Sequence, residues 1–267
     1  MTGLSIGFIG IGNMATAILS GLKSSKYQNC VINVFDIDSQ KMHNISGPKV
    51  RYCKTIKDLT INSNFIFLAI KPQDIESVLL SINRYITQEK TIVSIAAGIS
   101  INYIAKRLNR SCNIIRAMPN APMLVCSGIT GICCSDNTEK DVFDTVIDMF
   151  RSCSLVEVLP ENMMNTVTAI SGSGPAYVFL FAKAMIDYAT NNRILDNTAR
   201  NLVCQTLIGS AKLIHESNTD LDKLINSVCS PGGTTAEAMR VFEDRNFYDT
   251  IIGAMSACDS RAQELQK

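Results

Sequence analysis

The sequence predicts an α/β domain followed by an all-α domain. In the first part of the chain, short apolar runs rich in β-branched residues alternate with amphipathic stretches, which is typical of βα units around a parallel sheet. After about Leu159 the strand-like runs stop, and helical periodicity continues to the end of the sequence. We therefore expect two domains, 1–159 and 160–267, the first with a mostly parallel sheet that has helices on both faces.

Apolar runs mark the candidate strands of the first domain. They are residues 4–9, 30–35, 64–70, 91–95 and 113–117, and the runs 128–134 and 154–158 extend the sheet. The apolar residues in these runs are nearly continuous rather than alternating. Continuous apolar strands are expected where helices cover both faces of a sheet.

The composition points to a small-molecule partner. The 267 residues are 46% hydrophobic, enough for a sizeable core, and 25 basic against 24 acidic residues give a net charge of +1. This balance excludes the basic footprint of a protein that binds nucleic acid or an anionic membrane. Apolar runs such as 65–70 are far shorter than the roughly 20 residues that span a bilayer, and the N-terminal stretch lacks the features of a signal peptide. We expect a cytoplasmic protein that binds neither nucleic acid nor membrane.

The ten cysteines predict reduced thiols rather than a disulfide framework. They are scattered along the chain, and Cys133 and Cys134 are the only close pair. There is no CxxC motif, and the two histidines, His43 and His215, are far apart in sequence. Metal sites need clustered ligands, so we expect no metal.

One helical segment of the second domain predicts a homo-oligomer. Residues 176–189 (AYVFLFAKAMIDYA) are apolar on nearly every side, and Pro175 is expected at the first helical position. A helix of this kind must be buried. In a domain of about a hundred residues, a partner subunit is expected to cover part of it.

A glycine-rich turn lies near the start of the chain. An apolar strand runs into Gly10-x-Gly12-x-x-Ala15, and a helical pattern follows directly. Gly10 permits the tight turn, Gly12 lets the backbone approach a pyrophosphate, and Ala15 lets the helix pack on the strand. The free amides at the helix start then bind the phosphates. A glycine turn without a ligand is the alternative, but the flanking strand and helix favour a Rossmann-like dinucleotide site.

Asp36 bears on the choice of dinucleotide. It ends the second candidate strand, where an acid accepts hydrogen bonds from the adenosine ribose and disfavours a 2′-phosphate. The residues therefore favour NADH slightly over NADPH. As an alternative, Asp36 and Asp38 are solvated turn residues and Lys41 or Arg51 reaches the phosphate.

Further strand ends are expected at the same carboxyl edge of the sheet. They are 69–72 (Ala-Ile-Lys-Pro), 94–98 (Ser-Ile-Ala-Ala-Gly) and 116–122, a turn with two prolines. Pro72 stops its strand, and Gly98 permits close backbone approach. Taken alone, the first two are also ordinary strand terminators.

A second loop, 230–235 (SPGGTT), lies in the helical domain. Thr234 and Glu237 have the spacing of a capping box, as do Thr219 and Asp222 at the preceding helix, which is expected to end at Val228 or Cys229. The unpaired amides and positive dipole end of the new helix form a site for a carboxylate. A plain connection between two helices is the alternative interpretation.

Together, these segments resemble the pyrroline-5-carboxylate reductases. The resemblance rests on 7–14 (GFIGIGNM), 71–72 (KP), 94–98 (SIAAG), 116–120 (RAMPN), 171–177 (SGSGPAY) and 230–235 (SPGGTT), in that order and spacing. It spans essentially the whole chain, and the last two motifs are the specific ones.

The resemblance implies reduction of pyrroline-5-carboxylate to L-proline, the last step of proline biosynthesis, by NADH or NADPH. It implies an N-terminal Rossmann domain and a C-terminal helical domain that forms homodimers or assemblies of dimers. The implied cofactor contacts are Gly10, Ile11, Gly12, Asn13, Met14, Asp36, Ala69, Lys71, Pro72, Ala97, Gly98 and Asn120. The implied contacts to the substrate carboxylate are Ser230, Gly232, Gly233, Thr234 and Thr235. The acidic residues at 36 and 38 depart from the commoner family pattern and leave the cofactor open.

Reduction of a cyclic imine needs a hydride on carbon and a proton on nitrogen. If the substrate binds already protonated, the protein needs no strong acid, which agrees with the lack of a well-placed histidine. Thr235 is the catalytic candidate, with its hydroxyl on the ring nitrogen or the carboxylate. Lys71, at a strand end, is expected to orient the cofactor instead of donating a proton.

Two alternatives remain for the function. A β-hydroxyacid dehydrogenase would carry a lysine and an asparagine soon after the glycine-rich start of the long helix, but here Gly174 is followed by 177–179 (YVF) and Lys183 comes too late. A non-catalytic module that senses NAD(P) would keep the cofactor fold and use the loop 230–235 only as structure.

Overall fold

The computed structural model describes residues 3–109 and 111–265. The chain forms two compact units, one of Met1–Pro175 with Cys258–Lys267 and one of Ala176–Ala257. The helices that follow β8 therefore begin inside the first unit. The domain boundary expected near Leu159 stays a prediction.

The first unit contains an eight-stranded sheet with the order β3-β2-β1-β4-β5-β6-β7-β8. Its strands are β1 Ser5–Ile9, β2 Val31–Phe35, β3 Val50–Tyr52, β4 Phe65–Leu68, β5 Thr91–Ser94, β6 Asn113–Met118, β7 Gly128–Cys134 and β8 Ser154–Val158. All neighbouring pairs are parallel except β6 with β7. The predicted strands all form. The additional strand, β3, is a three-residue edge strand with two exposed side chains, so it has no apolar run for sequence analysis to detect.

Helices connect the strands and continue to the end of the chain. Those up to the end of β8 are α1 Asn13–Lys23, α2 Ser39–His43, α3 Ile56–Ile61, α4 Ile75–Ile82, α5 Ile101–Leu108 and α6 Lys140–Arg151. The later ones are α7 Met164–Val167, α8 Gly174–Asn191, α9 Asp196–Glu216, α10 Leu221–Ser227, α11 Thr234–Asp244 and α12 Phe247–Leu265. Helix α12 begins in the second unit, and its last residues, from Cys258, belong to the first.

Helices cover both faces of the sheet, as predicted. Successive residues of β4 enter different clusters: Phe65 and Phe67 pack with α1 and α6, and Ile66 and Leu68 pack with α4 and α5. The Phe67 ring stacks on Phe8 at a centroid distance of 4.6 Å. Burying one such side chain contributes about 1.5–3 kcal/mol to folding. The continuous apolar strands are therefore explained by cores on both sides.

The second unit buries little of its own apolar surface. Of residues 176–257, all of which the structure describes, only Ala199 and Val203 are buried. In α8 none of the residues is buried, and Phe179 and Leu180 are 64% and 70% exposed. The stretch Glu161–Asn191 is long and apolar enough to cross a membrane by length and composition, which is weak evidence for a membrane span. A unit with this surface needs a partner to cover its apolar residues.

The start of α8 differs from the prediction. Pro175 is the second residue of the helix, not the first. A π-helical turn, Thr168–Gly172, precedes α8, so the chain is already helical before Pro175. Its closing bond runs from the Ser173 amide to the carbonyl oxygen of Thr168 at 2.8 Å.

Candidate functional site

The turn after β1 has the conformation that glycine allows at Gly10. Its φ is +92°, and a Cβ at this position would lie 2.5 Å from the carbonyl oxygen of Ala69. The Gly10 amide donates to the carbonyl of Phe35 at 2.8 Å. Any larger residue would therefore collide with the backbone at the end of β4.

Gly12 has a different reason to be glycine. It is the N-cap of α1, and a Cβ on it would meet no heavy atom of the described chain within 4 Å. The hydrogen-bond ladder of the helix begins with the Thr16 amide, which donates to the Gly12 carbonyl at 3.0 Å. The amides of Asn13 and Met14 therefore precede the ladder, beside open space. We call the open space beside Gly12 and the amides of Asn13 and Met14 the cradle. Its free amides fit the pyrophosphate of a dinucleotide.

Asp36 lies beside the same turn, at the end of β2. One oxygen of its carboxylate, Oδ2, accepts a hydrogen bond from the Ile11 amide at 2.7 Å, and Oδ1 accepts one from the Asp38 amide at 2.8 Å. The acid is thus anchored to the glycine-rich turn. Its contact with a ribose stays a prediction.

The remaining predicted cofactor residues come together at one edge of the sheet. The chain runs from β1 through β2 to β3 on one side and returns to β4 on the other, so the topological switch lies between β1 and β4. Because β1, β4, β5 and β6 are parallel, the residues after each strand lie at the same carboxyl edge. They are Ala69, Lys71 and Pro72 after β4, Ala97 and Gly98 after β5, and Asn120 after β6.

Local contacts fix these strand ends. Lys71 is the N-cap of the 3₁₀ turn Pro72–Asp74, in which Pro72 takes the first position. Asn120 is buried, and its Oδ1 accepts a hydrogen bond from the Ile129 amide at 2.9 Å, which braces the two-proline turn. Gly98 has a φ of +72°, and a Cβ there would lie 3.3 Å from the Leu265 carbonyl oxygen, so the last described residue of α12 packs against this loop.

Glu161 is a site-adjacent residue that sequence analysis does not single out. Its Oε1 accepts a hydrogen bond from the Ile101 amide, at the start of α5, at 2.7 Å. The same oxygen lies 3.3 Å from the Arg116 guanidinium of β6. No sequence pattern relates residues this far apart along the chain.

The loop 230–235 opens α11 in the second unit, as predicted. Gly232 has a φ of +70°, and the Gly233 amide donates to the Ser230 carbonyl at 2.9 Å to close the turn. The ladder of α11 begins with the Glu237 amide, which donates to the Gly233 carbonyl at 3.3 Å. The amides of Thr234 and Thr235 thus precede the ladder at the positive end of the helix and are placed to bind a carboxylate.

The two predicted capping boxes are wrong. Gly233, not Thr234, is the N-cap of α11. Glu237 pairs with Arg240 along the helix instead of folding back, and this hydrogen bond lowers the pKa of the Glu237 carboxyl. At α10 the N-cap is Asp220, not Thr219, and its carboxylate accepts from the Asp222 amide at 3.0 Å. In both cases a residue next to the predicted cap takes the non-helical conformation that a cap needs.

Within residues 3–109 and 111–265, no three His, Cys, Asp or Glu side chains lie close enough to hold an ion. All ten cysteines are free thiols. Burial raises the pKa of Cys133, next to Arg116 and Glu161, to about 12, so that thiol is neutral at physiological pH.

Comparison with known proteins assigns the family. A model described as pyrroline-5-carboxylate reductase dimerisation matches residues 161–265, and one described as NADP oxidoreductase, coenzyme F420-dependent, matches residues 5–98. A pyrroline-5-carboxylate reductase of Escherichia coli (strain K12) is 37% identical over 98% of this chain and 98% of its own length. The chain belongs to the pyrroline-5-carboxylate reductase family. The resemblance noted in the sequence is thereby confirmed.

Solved members of the family have the same architecture. A Plasmodium falciparum pyrroline carboxylate reductase with NADP bound has a TM-score of 0.91 and 28% identity, with all of both chains covered. A reductase from Coxiella burnetii has a TM-score of 0.87 and 33% identity over 98% of both chains. Reductases of this family convert pyrroline-5-carboxylate to proline with NAD(P)H, and their helical domain mediates dimerisation. The predicted fold class, a Rossmann-like domain with a helical dimerisation domain, is confirmed.

Proposed function

We propose that the protein reduces L-1-pyrroline-5-carboxylate to L-proline by hydride transfer from NAD(P)H, the last step of proline biosynthesis. The observation that carries the proposal is the agreement with reductases of this activity along the full chain. The open cradle over Gly12 and the free helix start at Thr234 supply the two anion sites that such a reaction needs, one for a pyrophosphate and one for a carboxylate.

The cofactor residues divide into phosphate-binding and edge-forming groups. The amides of Ile11, Gly12, Asn13 and Met14 surround the cradle, although the Ile11 amide is already used by Asp36. When bound, NAD(P)H supplies the hydride, and the protein supplies position. The edge-forming group consists of Ala69, Lys71, Pro72, Ala97, Gly98 and Asn120. The positive φ of Gly98 favours glycine, and the lack of a side chain leaves its backbone open to close approach.

The substrate residues are those of the loop 230–235. The carboxylate is held by the hydroxyl of Ser230 and the amides of Gly232, Gly233, Thr234 and Thr235, at the positive end of α11. The Thr235 hydroxyl hydrogen-bonds the ring nitrogen or the carboxylate and thereby fixes the imine carbon. Because the imine binds as its protonated form, no side chain has to donate a proton at this step, and catalysis comes from positioning.

The choice between NADH and NADPH follows the charge at the end of β2. The Asp36 carboxylate, with Asp38 two residues on, makes this end of the site negative, and negative charge disfavours a 2′-phosphate. We therefore propose a slight preference for NADH. The family model that matches residues 5–98 and the Plasmodium falciparum structure both name NADP, whereas the charge at Asp36 argues for NADH.

The partners we propose are a cyclic imine and a second copy of the chain. The exposed apolar residues of the second unit call for a subunit partner, and a homodimer or an assembly of dimers covers them. The charge balance gives no support to binding of nucleic acid or membrane, and we propose a cytoplasmic location.

The test is an assay of NADH and NADPH oxidation with pyrroline-5-carboxylate, with proline measured as the product. We expect stoichiometric formation of proline. A protein that binds NAD(P)H but oxidises none with this substrate would be a sensing module, and the proposal would fall.

A further inference from the structure

The loop 95–100 leads directly into α5 and lies at the carboxyl edge of the sheet, where we propose that the cofactor binds. β5 ends at Ser94, the chain passes Ala97 and Gly98, and α5 begins at Ile101. The first amides of a helix have no partner within it, so other groups must fix them. Whatever fixes this helix start also fixes the loop that leads into it.

Two side chains cap α5. Ser100, the N-cap, accepts a hydrogen bond from the Tyr103 amide at 3.1 Å. Glu161, from the segment after β8, accepts one from the Ile101 amide at 2.7 Å. A carboxylate at this position is also stabilised by the positive end of the helix. The second cap thus comes from a part of the chain that is remote in sequence.

Arg116 holds Glu161 in place. Its side chain is 3% exposed, and its two terminal nitrogens contact Glu161 Oε1 at 3.3 Å and Asn165 Oδ1 at 3.2 Å. Arg116 pairs with Ser94 in the register of β5 and β6, so it is fixed next to the end of β5. A buried guanidinium requires such partners, because an unpaired charge in the interior is costly.

We propose that Glu161 is a positioning residue for the cofactor, which acts by holding α5 and the loop 95–100. This rests on the proposed function in one respect, namely that Ala97 and Gly98 contact the nicotinamide cofactor. The arrangement joins three elements, β6, α5 and the segment after β8, through one carboxylate oxygen. Leu265 packs against the same loop at Gly98, so one contact to the loop stays in place when Glu161 is lost.

The experiment separates this role from that of a simple counter-ion for Arg116. Glu161→Ala removes both interactions, and Glu161→Gln keeps an oxygen that accepts from the Ile101 amide. The double variant Arg116→Met with Glu161→Ala removes the buried charge together with its partner. Glu157→Ala, at an exposed acid of β8, is the matched control. Each variant is measured for thermal midpoint, for the Kd of NADH and NADPH by their fluorescence on binding, and for KM and kcat.

We expect Glu161→Ala to raise the cofactor Kd and KM at least fivefold, with the KM for pyrroline-5-carboxylate within twofold of the wild type. Glu161→Gln and Glu157→Ala should keep the cofactor Kd within twofold. The double variant should recover the thermal midpoint but not the cofactor affinity. Recovery of both in the double variant, or an unchanged Kd in Glu161→Ala, would overturn the proposal. Since Kd is measured without turnover, a wild-type protein that fails to reduce pyrroline-5-carboxylate would remove the proposed function and leave this test intact.

Discussion

The carboxylate of Asp36 accepts a hydrogen bond from the Ile11 amide at 2.7 Å, so the acid that ends β2 also holds the glycine-rich turn. One side chain thereby carries two separate properties. Its oxygen holds the turn, and its charge is the feature that we propose acts on the adenosine ribose of the cofactor. A substitution that keeps the oxygen and removes the charge can separate them.

Asp36→Asn should shift the cofactor preference towards NADPH. The single amide oxygen still accepts from Ile11, the hydrogen bond from the Asp38 amide is lost, and the negative charge that disfavours a 2′-phosphate is gone. We expect the ratio of kcat/KM for NADPH to that for NADH to rise about tenfold, which is about 1.4 kcal/mol. Steady-state kinetics with both cofactors measure it.

Asp136→Asn is the control for this change. Asp136 is exposed and follows β7, which runs antiparallel to β6, so it lies at the edge of the sheet opposite to the cofactor residues. Asp136→Asn removes the same charge and should leave the ratio of kcat/KM for NADPH to that for NADH unchanged. An equal shift in both variants would mean that net charge, not the position of Asp36, sets the preference.

Gly10→Ala and Gly12→Ala should fail for different reasons. Gly10→Ala meets the Ala69 carbonyl at a positive φ and should lower the thermal midpoint of the free protein. Gly12→Ala meets nothing in the described chain, so the free protein should melt within about 2 °C of the wild type, while its cofactor Kd rises at least about tenfold because the methyl group enters the cradle. Calorimetry and cofactor titration measure the pair. Equal melting of the two variants would contradict the distinction.

Thr235→Ala should lower kcat/KM at least about tenfold, or about 1.4 kcal/mol, because it removes the hydroxyl that we propose fixes the imine. Thr235→Ser keeps the hydroxyl and should recover most of the rate. Thr219→Ala, an exposed threonine that does not cap α10, is the control. An unchanged kcat/KM in Thr235→Ala would remove this residue from the site.

The buried thiols predict a loss of stability at alkaline pH. Burial raises the pKa of Cys53 and Cys112 to about 11 and that of Cys133 to about 12, from an ordinary value of 9.0. The folded state therefore keeps protons that the unfolded chain releases above pH 9. The stabilisation is complete below that pH and is lost as the pH rises towards 11 and 12.

Urea unfolding at pH 8, 9 and 10 measures this effect. Each buried thiol should account for a fall on the order of 1 kcal/mol at pH 10, so Cys133→Val should flatten the pH dependence. Cys204→Ser, at an exposed cysteine, should leave the slope as it is. A Cys133→Val protein with the wild-type slope would show that its pKa is not raised.

Leu180→Glu should weaken the assembly. Leu180 is 70% exposed in the single chain, on a helix with no buried residue among those described, so a charge there enters the expected subunit interface. Analytical ultracentrifugation should show smaller species than the wild type at equal concentration. Leu155→Glu, on the exposed face of β8, is the control and should sediment as the wild type does. Equal masses for all three would place α8 outside the interface.

The strands other than β3 were predictable because each of them is a continuous or nearly continuous apolar run in the sequence. Residues 65–68 are apolar without interruption, and their burial on both faces explains why. β3 was not predictable, since Val50 alone of its three residues is partly buried. The helix starts show a second limit: an acceptor at the right spacing does not decide which neighbouring residue takes the non-helical cap conformation, as Asp220 and Gly233 do.

The candidate site was predictable where it is local. The cradle at Gly10 and Gly12 follows from consecutive residues, and its strand and helix form as expected. The contacts of Arg116 with Glu161 and of Gly98 with Leu265 depend on which parts of the chain meet in three dimensions. Such contacts have no period and no spacing rule, so a single sequence does not contain a signal for them.

The contact between Leu265 and Gly98 has a practical consequence for anyone who makes this protein. A purification tag or fusion partner joined behind residue 265 begins beside the loop at the end of β5. A label placed there lies close to the sheet edge that we propose binds the cofactor, whereas one joined ahead of β1 starts at the amino end of the strands. Tagging at the front of the chain is therefore the better design for any binding or rate measurement.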